Sequence, residues 1–292
     1  MTKDEYLDIS RKIVANMTSQ SWRSIPHVSV LLEANVSALI QLLREYNATH
    51  DTAISLNSAI LKAIAEGLCI NPKLNGRIKY NAWLVSGKFT PSEHVDVSMP
   101  IQYGDGKMIT VTLPQIETLS MLQIQETVSK MRDRIEHTDM PRVLYKTGLQ
   151  DTFEGLRKGR ILTAAGRLIG AKFGRGRVCI PPSDKGSFPD ALQTSDIRQG
   201  SITVSNMGSV YRNWKGHVVL LEIVPPQVCA IGIGALQEKP VIGENRQISV
   251  STVLPVTICF DHRALNFSDV APFMEFLTDT LQDREKLTAW IE

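Results

Sequence analysis

The chain has 292 residues, a formal net charge of +2, and 43% hydrophobic and 21% charged residues. That length holds one large domain or two small ones, and the apolar share is ample for a core, which excludes a disordered chain. The small net charge excludes a general attraction to nucleic acid, and no run reaches the ~20 apolar residues of a membrane span.

The first residues, MTKDEYLD, carry acids and no apolar run, so they read as neither a signal peptide nor a basic transit peptide. Cys69, Cys179, Cys229 and Cys259 lie far apart with no C-x-x-C pair. No metal site and no disulfide framework are therefore expected, and a reducing cytoplasm is the expected location.

Ile9, Ile13, Val14 and Met17 have helical spacing, and the helix is expected to break toward Pro26. After Pro26-His27, the alternation of Val28, Val30 and Leu32 predicts a strand. Asn35 then caps a helix presenting Val36, Leu39, Ile40 and Leu43 on one face. A further helix over 57–68 stops at Asn71-Pro72. Strands over 95–102 and 108–113 flank Gly104-Asp105-Gly106, whose glycines supply the backbone freedom of a tight hairpin. Met121, Ile124, Val128, Met131 and Ile135 then repeat every three or four residues, the pattern of a helix lying on a core.

The stretch 139–195 has a different character. Between Glu154 and Asp184 stand Arg157, Lys158, Arg160, Arg167, Lys172, Arg175 and Arg177, with no acid among them. Ile161, Leu162, Ala165, Leu168 and Ile169 share one helical face, so a basic amphipathic helix is expected around 156–173. Such a helix reads as a solvated surface element or as a binding face. As a binding face, the segment 156–177 fits an acidic carrier protein or an anionic membrane surface better than one nucleotide cofactor. Asp184-Lys185 has the dipeptide of a lipoylated lysine without the strands and turn of a lipoyl domain, so no covalent lipoyl group is expected.

From 199 onward, Ile202-Thr203-Val204-Ser205-Asn206-Met207-Gly208 reads as a strand ending in polar and glycine residues, where side chains leave a rigid support. After Pro225-Pro226-Gln227, the apolar run 228–234 predicts a strand buried on both faces. Trp214 and Trp290 have no neighbours suggesting base stacking, so no nucleic-acid role is expected. Ile248, Val250, Leu254, Val256, Ile258 and Phe260 fall on even positions, which predicts a long strand with one buried face. Pro255 inside it implies an edge or a bulge. The strand ends at Asp261-His262-Arg263, and Asn266 or Ser268 caps a helix through Val270, Phe273, Met274 and Phe276. A histidine at a strand end beside a helix start suits a general base, although a lone histidine also reads as structural.

Asp261-His262-Arg263-x-x-Asn266 resembles the D-H-R-x-x-[D/N]-G signature of the acyltransferase component of 2-oxoacid dehydrogenase complexes, relatives of chloramphenicol acetyltransferase. Phe267 stands where the family has glycine. Thr203-Val204-Ser205-Asn206-Met207-Gly208 is similar to the family's T-[IV]-S-N-x-G, and Ser10-Arg11-Lys12, Pro26-His27 and Pro72-x-x-Asn75 resemble its opening. The resemblance covers about 10–139 and 199–287.

It implies an α/β fold of the chloramphenicol-acetyltransferase type. That is a mixed sheet flanked by helices, forming one catalytic domain over 1–292 with an inserted basic helical segment at about 139–195. It implies His262 as general base and Ser205 as oxyanion donor, with Asn266 beside the histidine where many members have aspartate. It also implies coenzyme A or acyl-CoA as substrate and a homotrimer or multiple of three, with His262 of one subunit facing Ser205 of the next. Because the lipoyl domain, peripheral-subunit-binding domain and Ala/Pro-rich linkers of a full core subunit are not seen, a stand-alone CoA-dependent acyltransferase is expected. A core subunit served by lipoyl domains on another chain, and a non-catalytic trimeric scaffold, are the alternatives.

Overall fold

The computed structural model describes residues 6–104, 106–157, 190–242 and 246–292. Helix α1 (Ile9–Ser24) starts at Asp8, whose carboxylate accepts from the Arg11 backbone N–H at 2.8 Å. It runs longer than the spacing predicted, and Val14 and Met17 are exposed. Strand β1 (His27–Asn35) leads into α2 (Ser37–Thr49), and the Asn35 side chain accepts from the Ser37 N–H at 3.0 Å.

Helix α3 (Leu56–Ile70) is apolar nearly all round because it is buried nearly all round. The Ser55 hydroxyl caps it, and Gly67 lets it approach the next layer. A Cβ at Gly67 would lie 2.7 Å from the Phe273 ring. Strands β2 (Gly76–Asn81) and β3 (Ser86–Pro91) form a separate two-stranded sheet, and β4 (Val97–Tyr103) and β5 (Lys107–Leu113) form the predicted hairpin. Gly104 and Gly106 take positive φ there, at 50° and 78°. Helix α4 (Met121–Glu136) opens with a Ser120/Gln123 capping box and buries all five residues of the predicted face.

Helix α5 (Met140–Arg157) packs on α1 and lies at the start of the atypical stretch. The basic helix expected over 156–173, the remainder of the 156–177 segment and Asp184-Lys185 lie outside the described residues, apart from the last turn of α5.

The remaining strands are β6 (Ile202–Asn206), β7 (Cys229–Ile233), β8 (Gln237–Ile242) and β9 (Ile248–Asp261), followed by α6 (Phe267–Thr280) and α7 (Arg284–Ala289). The main sheet has the order β1-β9-β7-β6-β4-β5, with β8 pairing the first half of β9. It is mixed: β6 runs parallel to β4 and β7, and the other pairs are antiparallel.

One expectation for β9 needs correction, and the one for Pro255 is met. Ile248 and Val250 are 75% and 74% exposed, whereas the strand is buried from Val253 to its end on both faces. The second face is covered by the segment before β7, where the Val218 carbonyl accepts from the Thr257 hydroxyl and the Leu221 N–H meets the Cys259 Sγ at 3.1 Å. Pro255, expected at an edge or a bulge, lies in a central strand at a bulge: Ile233 pairs with Val256 and Gln237 with Val253, so residues 234–236 stand opposite only 254–255. It sits at the seam where β7 ends at Ile233 and β8 begins at Gln237, and its carbonyl accepts from the Gly234 N–H at 2.8 Å. In a strand, N–H and C=O of one residue point the same way. The donor that proline lacks would therefore face that seam and not a regular ladder.

Candidate active site

His262 follows the last residue of β9 and is exposed. Its backbone N–H donates to the Pro26 carbonyl at 3.1 Å, tying the turn to the start of β1. Its Nδ1 lies 2.9 Å from the Leu265 carbonyl oxygen. A carbonyl only accepts, so Nδ1 carries the proton and Nε2 of the neutral ring keeps its lone pair. The Phe260 ring meets the imidazole edge-on at 87°, with centroids 6.0 Å apart.

The two residues around the histidine hold this turn. Asp261 is fully buried and would be costly as an unpaired charge. Arg263 satisfies it as a fork: Nε reaches Oδ1 at 3.0 Å, Nη2 reaches Oδ2 at 2.6 Å, and the Arg263 backbone N–H adds a further bond at 3.0 Å. The guanidinium also lies 5.6 Å from the centroid of Tyr80 on β2. The Asp-His-Arg triplet thus anchors its outer members to each other and turns its middle member outward.

Asn266 is the N-cap of α6, as its position suggested, and the Asp269 carboxylate accepts from its backbone N–H at 2.9 Å. Hydrogen bonding by Lys73, then by the Asn266 N–H, holds the Asp269 carboxyl below its ordinary range. Asn71 donates to the Asp269 carbonyl at 2.5 Å, so the end of α3 fixes the start of α6. Phe267 is the first residue of α6 and is 56% exposed.

Ser205 is half-buried near the end of β6. Asn206 next to it donates from Nδ2 to the Asn57 Oδ1 at 2.9 Å and accepts from the Ser209 N–H at 2.9 Å. Behind it the chain passes so close to β7 that a Cβ at Gly208 would lie 2.2 Å from the Gly234 carbonyl oxygen. Among the described residues no group hydrogen-bonds the Ser205 hydroxyl, which leaves it free to donate.

The sheet register separates the two candidates. Ser205 stands opposite Gly232, and Gly232 stands opposite Thr257. His262 lies beyond Thr257 by 262 − 257 = 5 residues, which is about 16 Å along the strands, with two strand spacings sideways as well. One chain therefore brings His262 and Asn266 together but not His262 and Ser205. A groove of about 680 Å³ between α2 and the β8–β9 ribbon, lined by Ile40, Leu43, Arg44, Leu236 and Glu238 among others, includes none of the three.

Sequence reasoning did not find the Leu265 carbonyl or the Asn57–Asn206 pair. The first is a backbone group with no residue signature, and the second joins positions far apart in the chain. Among the described residues no cluster of three His, Cys, Asp or Glu side chains could hold a metal ion.

Comparison with known proteins gives this geometry a family. The family model for the 2-oxoacid dehydrogenases acyltransferase (catalytic domain) matches residues 2–142 and 189–289. The dihydrolipoyllysine-residue acetyltransferase component of the pyruvate dehydrogenase complex of Buchnera aphidicola is 21% identical over 279 residues, covering 94% of this chain and 54% of that protein. The Zymomonas mobilis counterpart is 24% identical over 267 residues, covering 90% and 46%. The chain spans about half the length of the curated relatives it matches.

Among solved structures, dihydrolipoamide acetyltransferase of Azotobacter vinelandii superposes with a TM-score of 0.69 at 15% identity, covering 99% of this chain and 94% of that one. The cubic core of the pyruvate dehydrogenase multienzyme complex superposes with a TM-score of 0.67 at 17% identity, again covering 99% and 94%. The expected mixed α/β architecture is thus the one these cores share. With both matched segments spanning most of the sequence, the chain belongs to the family of 2-oxoacid dehydrogenase acyltransferase catalytic domains.

Proposed function

We propose that the chain is the acyltransferase core of a 2-oxoacid dehydrogenase complex, moving an acyl group between the thiol of coenzyme A and a thiol of a dihydrolipoyl-lysine residue. This reading replaces the stand-alone enzyme expected from the sequence. It is supported by the Buchnera and Zymomonas relatives, each a component of a pyruvate dehydrogenase complex, and by superposition on a multienzyme core. The observation that carries the chemistry is the fixed tautomer of His262, whose exposed ring offers Nε2 as a base.

In that reaction Nε2 of His262 removes the proton of the attacking thiol. The thiolate adds to the thioester carbonyl, and the tetrahedral oxyanion accepts a hydrogen bond from the Ser205 hydroxyl. One such donor is worth ~3–4 kcal/mol of barrier. The intermediate collapses by breaking the original carbon–sulfur bond, and the leaving thiolate takes the proton back from the imidazolium. Asn266 acts beside this exchange, because capping α6 fixes the neighbouring Leu265 carbonyl that orients the ring. A serine, a histidine and an asparagine were likewise investigated in the Azotobacter acetyltransferase, with the histidine four positions before the asparagine. His262 precedes Asn266 by the same interval.

The sheet register bears on assembly. With Ser205 and His262 at opposite ends of one sheet, the site is completed by Ser205 of a neighbouring copy, in a trimer or a multiple of three. Incubating the protein with acetyl-CoA and dihydrolipoamide, with mass spectrometry of the products, tests the reading. Acetyl-dihydrolipoamide and free coenzyme A are expected. Acyl transfer only to a non-thiol acceptor would return the stand-alone reading, and no transfer to any acceptor would return the scaffold.

A further inference from the structure

The β2–β3 hairpin has two faces of opposite character. Ile78 and Phe89, paired across the strands, are partly buried against the core, and the Ile78 N–H donates to the Pro226 carbonyl at 2.9 Å. Strand alternation places Arg77, Lys79 and Lys88 on the other face, and all three are exposed. None of these cations has an ion-pair partner among the described residues, and no Asp or Glu occurs anywhere in 76–91. Lys79 and Lys88 stand directly opposite each other, a like-charge pair that destabilises an isolated hairpin.

The tip is equally unusual. Trp83, Leu84 and Val85 are 88%, 60% and 77% exposed in succession. The Asn81 side chain accepts from the Trp83 and Leu84 N–H groups at 3.0 and 3.1 Å, which holds the turn in shape. Val85 has φ of 46°, a left-handed conformation that a β-branched residue adopts only under strain. A polar turn with glycine there would cost less, so the strained tip keeps three apolar side chains in water.

We propose that this hairpin docks on an anionic lipid surface, the tip entering the interface and the cations binding headgroups. Three features select this occupant. An exposed tryptophan beside aliphatic residues suits the boundary between headgroup and acyl chain. A convex tip needs a concave protein partner but enters a bilayer directly. The unpaired cations call for an anionic surface.

The test is co-sedimentation of the full chain with vesicles of phosphatidylserine and phosphatidylcholine in equal parts, against phosphatidylcholine alone. Salt-sensitive binding to the anionic vesicles is expected. Trp83→Ser with Leu84→Ser lowers the partition coefficient at least about tenfold, as two fewer buried apolar side chains require. Lys88→Glu lowers it by about tenfold or more, since it removes one cation and adds one anion. Lys88→Glu also gives Lys79 an opposite charge across the strands, so a folding failure does not explain its loss of binding. Failure of the parent chain to bind anionic vesicles overturns the proposal. So does equal binding by the tip variant, or a change in that variant's oligomer mass by light scattering, which would assign the tip to a contact between copies.

Discussion

The imidazole of His262 is fixed by a single backbone oxygen, that of Leu265, 2.9 Å from Nδ1. The bond spans three residues of chain, and every part of the turn around it is held from elsewhere. Pro26 holds the His262 N–H, Arg263 holds Asp261, and Asp269 holds the N-cap Asn266. A base positioned in this way loses its function on small changes. His262→Ala is expected to lower kcat for thiol acyl transfer by ~10²–10⁴-fold, with the unfolding midpoint nearly unchanged because the ring is exposed. An unchanged kcat in steady-state assays would remove His262 from the mechanism.

Ser205→Ala is expected to cost ~10²–10³ in kcat, the loss of one oxyanion donor. Mixed with His262→Ala chains and reassembled, it should regain part of the parent activity, because some contacts between copies then pair an intact serine with an intact histidine. Separate inactive variants that stay inactive after subunit exchange, verified by mass, would place both residues in a site made by one chain.

Arg263→Ala leaves the fully buried Asp261 carboxylate without its fork, and the expected loss of stability is ~3–5 kcal/mol by urea denaturation. Arg263→Lys recovers only part of it, since an ammonium does not match two carboxylate oxygens at once. Equal stability of all three proteins would mean that Asp261 is held by its backbone neighbours.

The pattern of hydrophobic residues was enough for much of this fold. The α4 face of Met121, Ile124, Val128, Met131 and Ile135 is buried as spaced, and the β4–β5 hairpin turns on the two expected glycines. His262, Ser205 and Asn266 were visible because strand ends and caps leave polar residues at fixed offsets. What alternation did not show was the double burial of β9. Thr257 and Asp261 look solvent-facing in sequence, yet a covering segment and an arginine satisfy them. The partner of Thr257 lies 39 residues away in the chain, where no local pattern points, and that of Asp261 is two residues on, past the strand end where alternation stops. The offset of Ser205 from His262, about 16 Å along the strands, was hidden too, since it follows from the pairing of distant strands.

Acid should loosen the start of α6. The Asp269 carboxyl, hydrogen-bonded to Lys73 and to the Asn266 N–H, has a folded-state value below the ordinary 3.8. Its contribution is therefore present above that ordinary value and is lost as pH falls through the lowered one. Urea midpoints measured from neutral pH down into that range should fall less steeply for Asp269→Asn than for the parent. Parallel curves would assign the acid limb to other carboxylates.

Thiol labelling should sort the cysteines by burial. Burial pushes the Cys259 thiol up to about 11 and the Cys229 thiol higher still; partial burial and then Glu66 raise Cys69 as well, but its side chain is exposed. In a Cys179→Ser background at neutral pH, a thiol reagent is expected to modify only Cys69 in the native protein and all three after denaturation. Rapid native labelling of Cys259 would mean that the segment over Leu221 opens.

The seam at Pro255 divides β9 into lengths with different lifetimes. From Val256 to Asp261 the strand is clamped between β1 and β7, and its amide hydrogens should be replaced by deuterium only when the whole domain unfolds. From Ile248 to Ser251 it has β8 alone as a partner, and those amides should exchange through a local opening of the ribbon. Because proline carries no amide hydrogen, the boundary between the slow and fast halves falls on a residue that cannot itself be labelled. The ribbon can then melt and re-form without disturbing the strand end that presents His262.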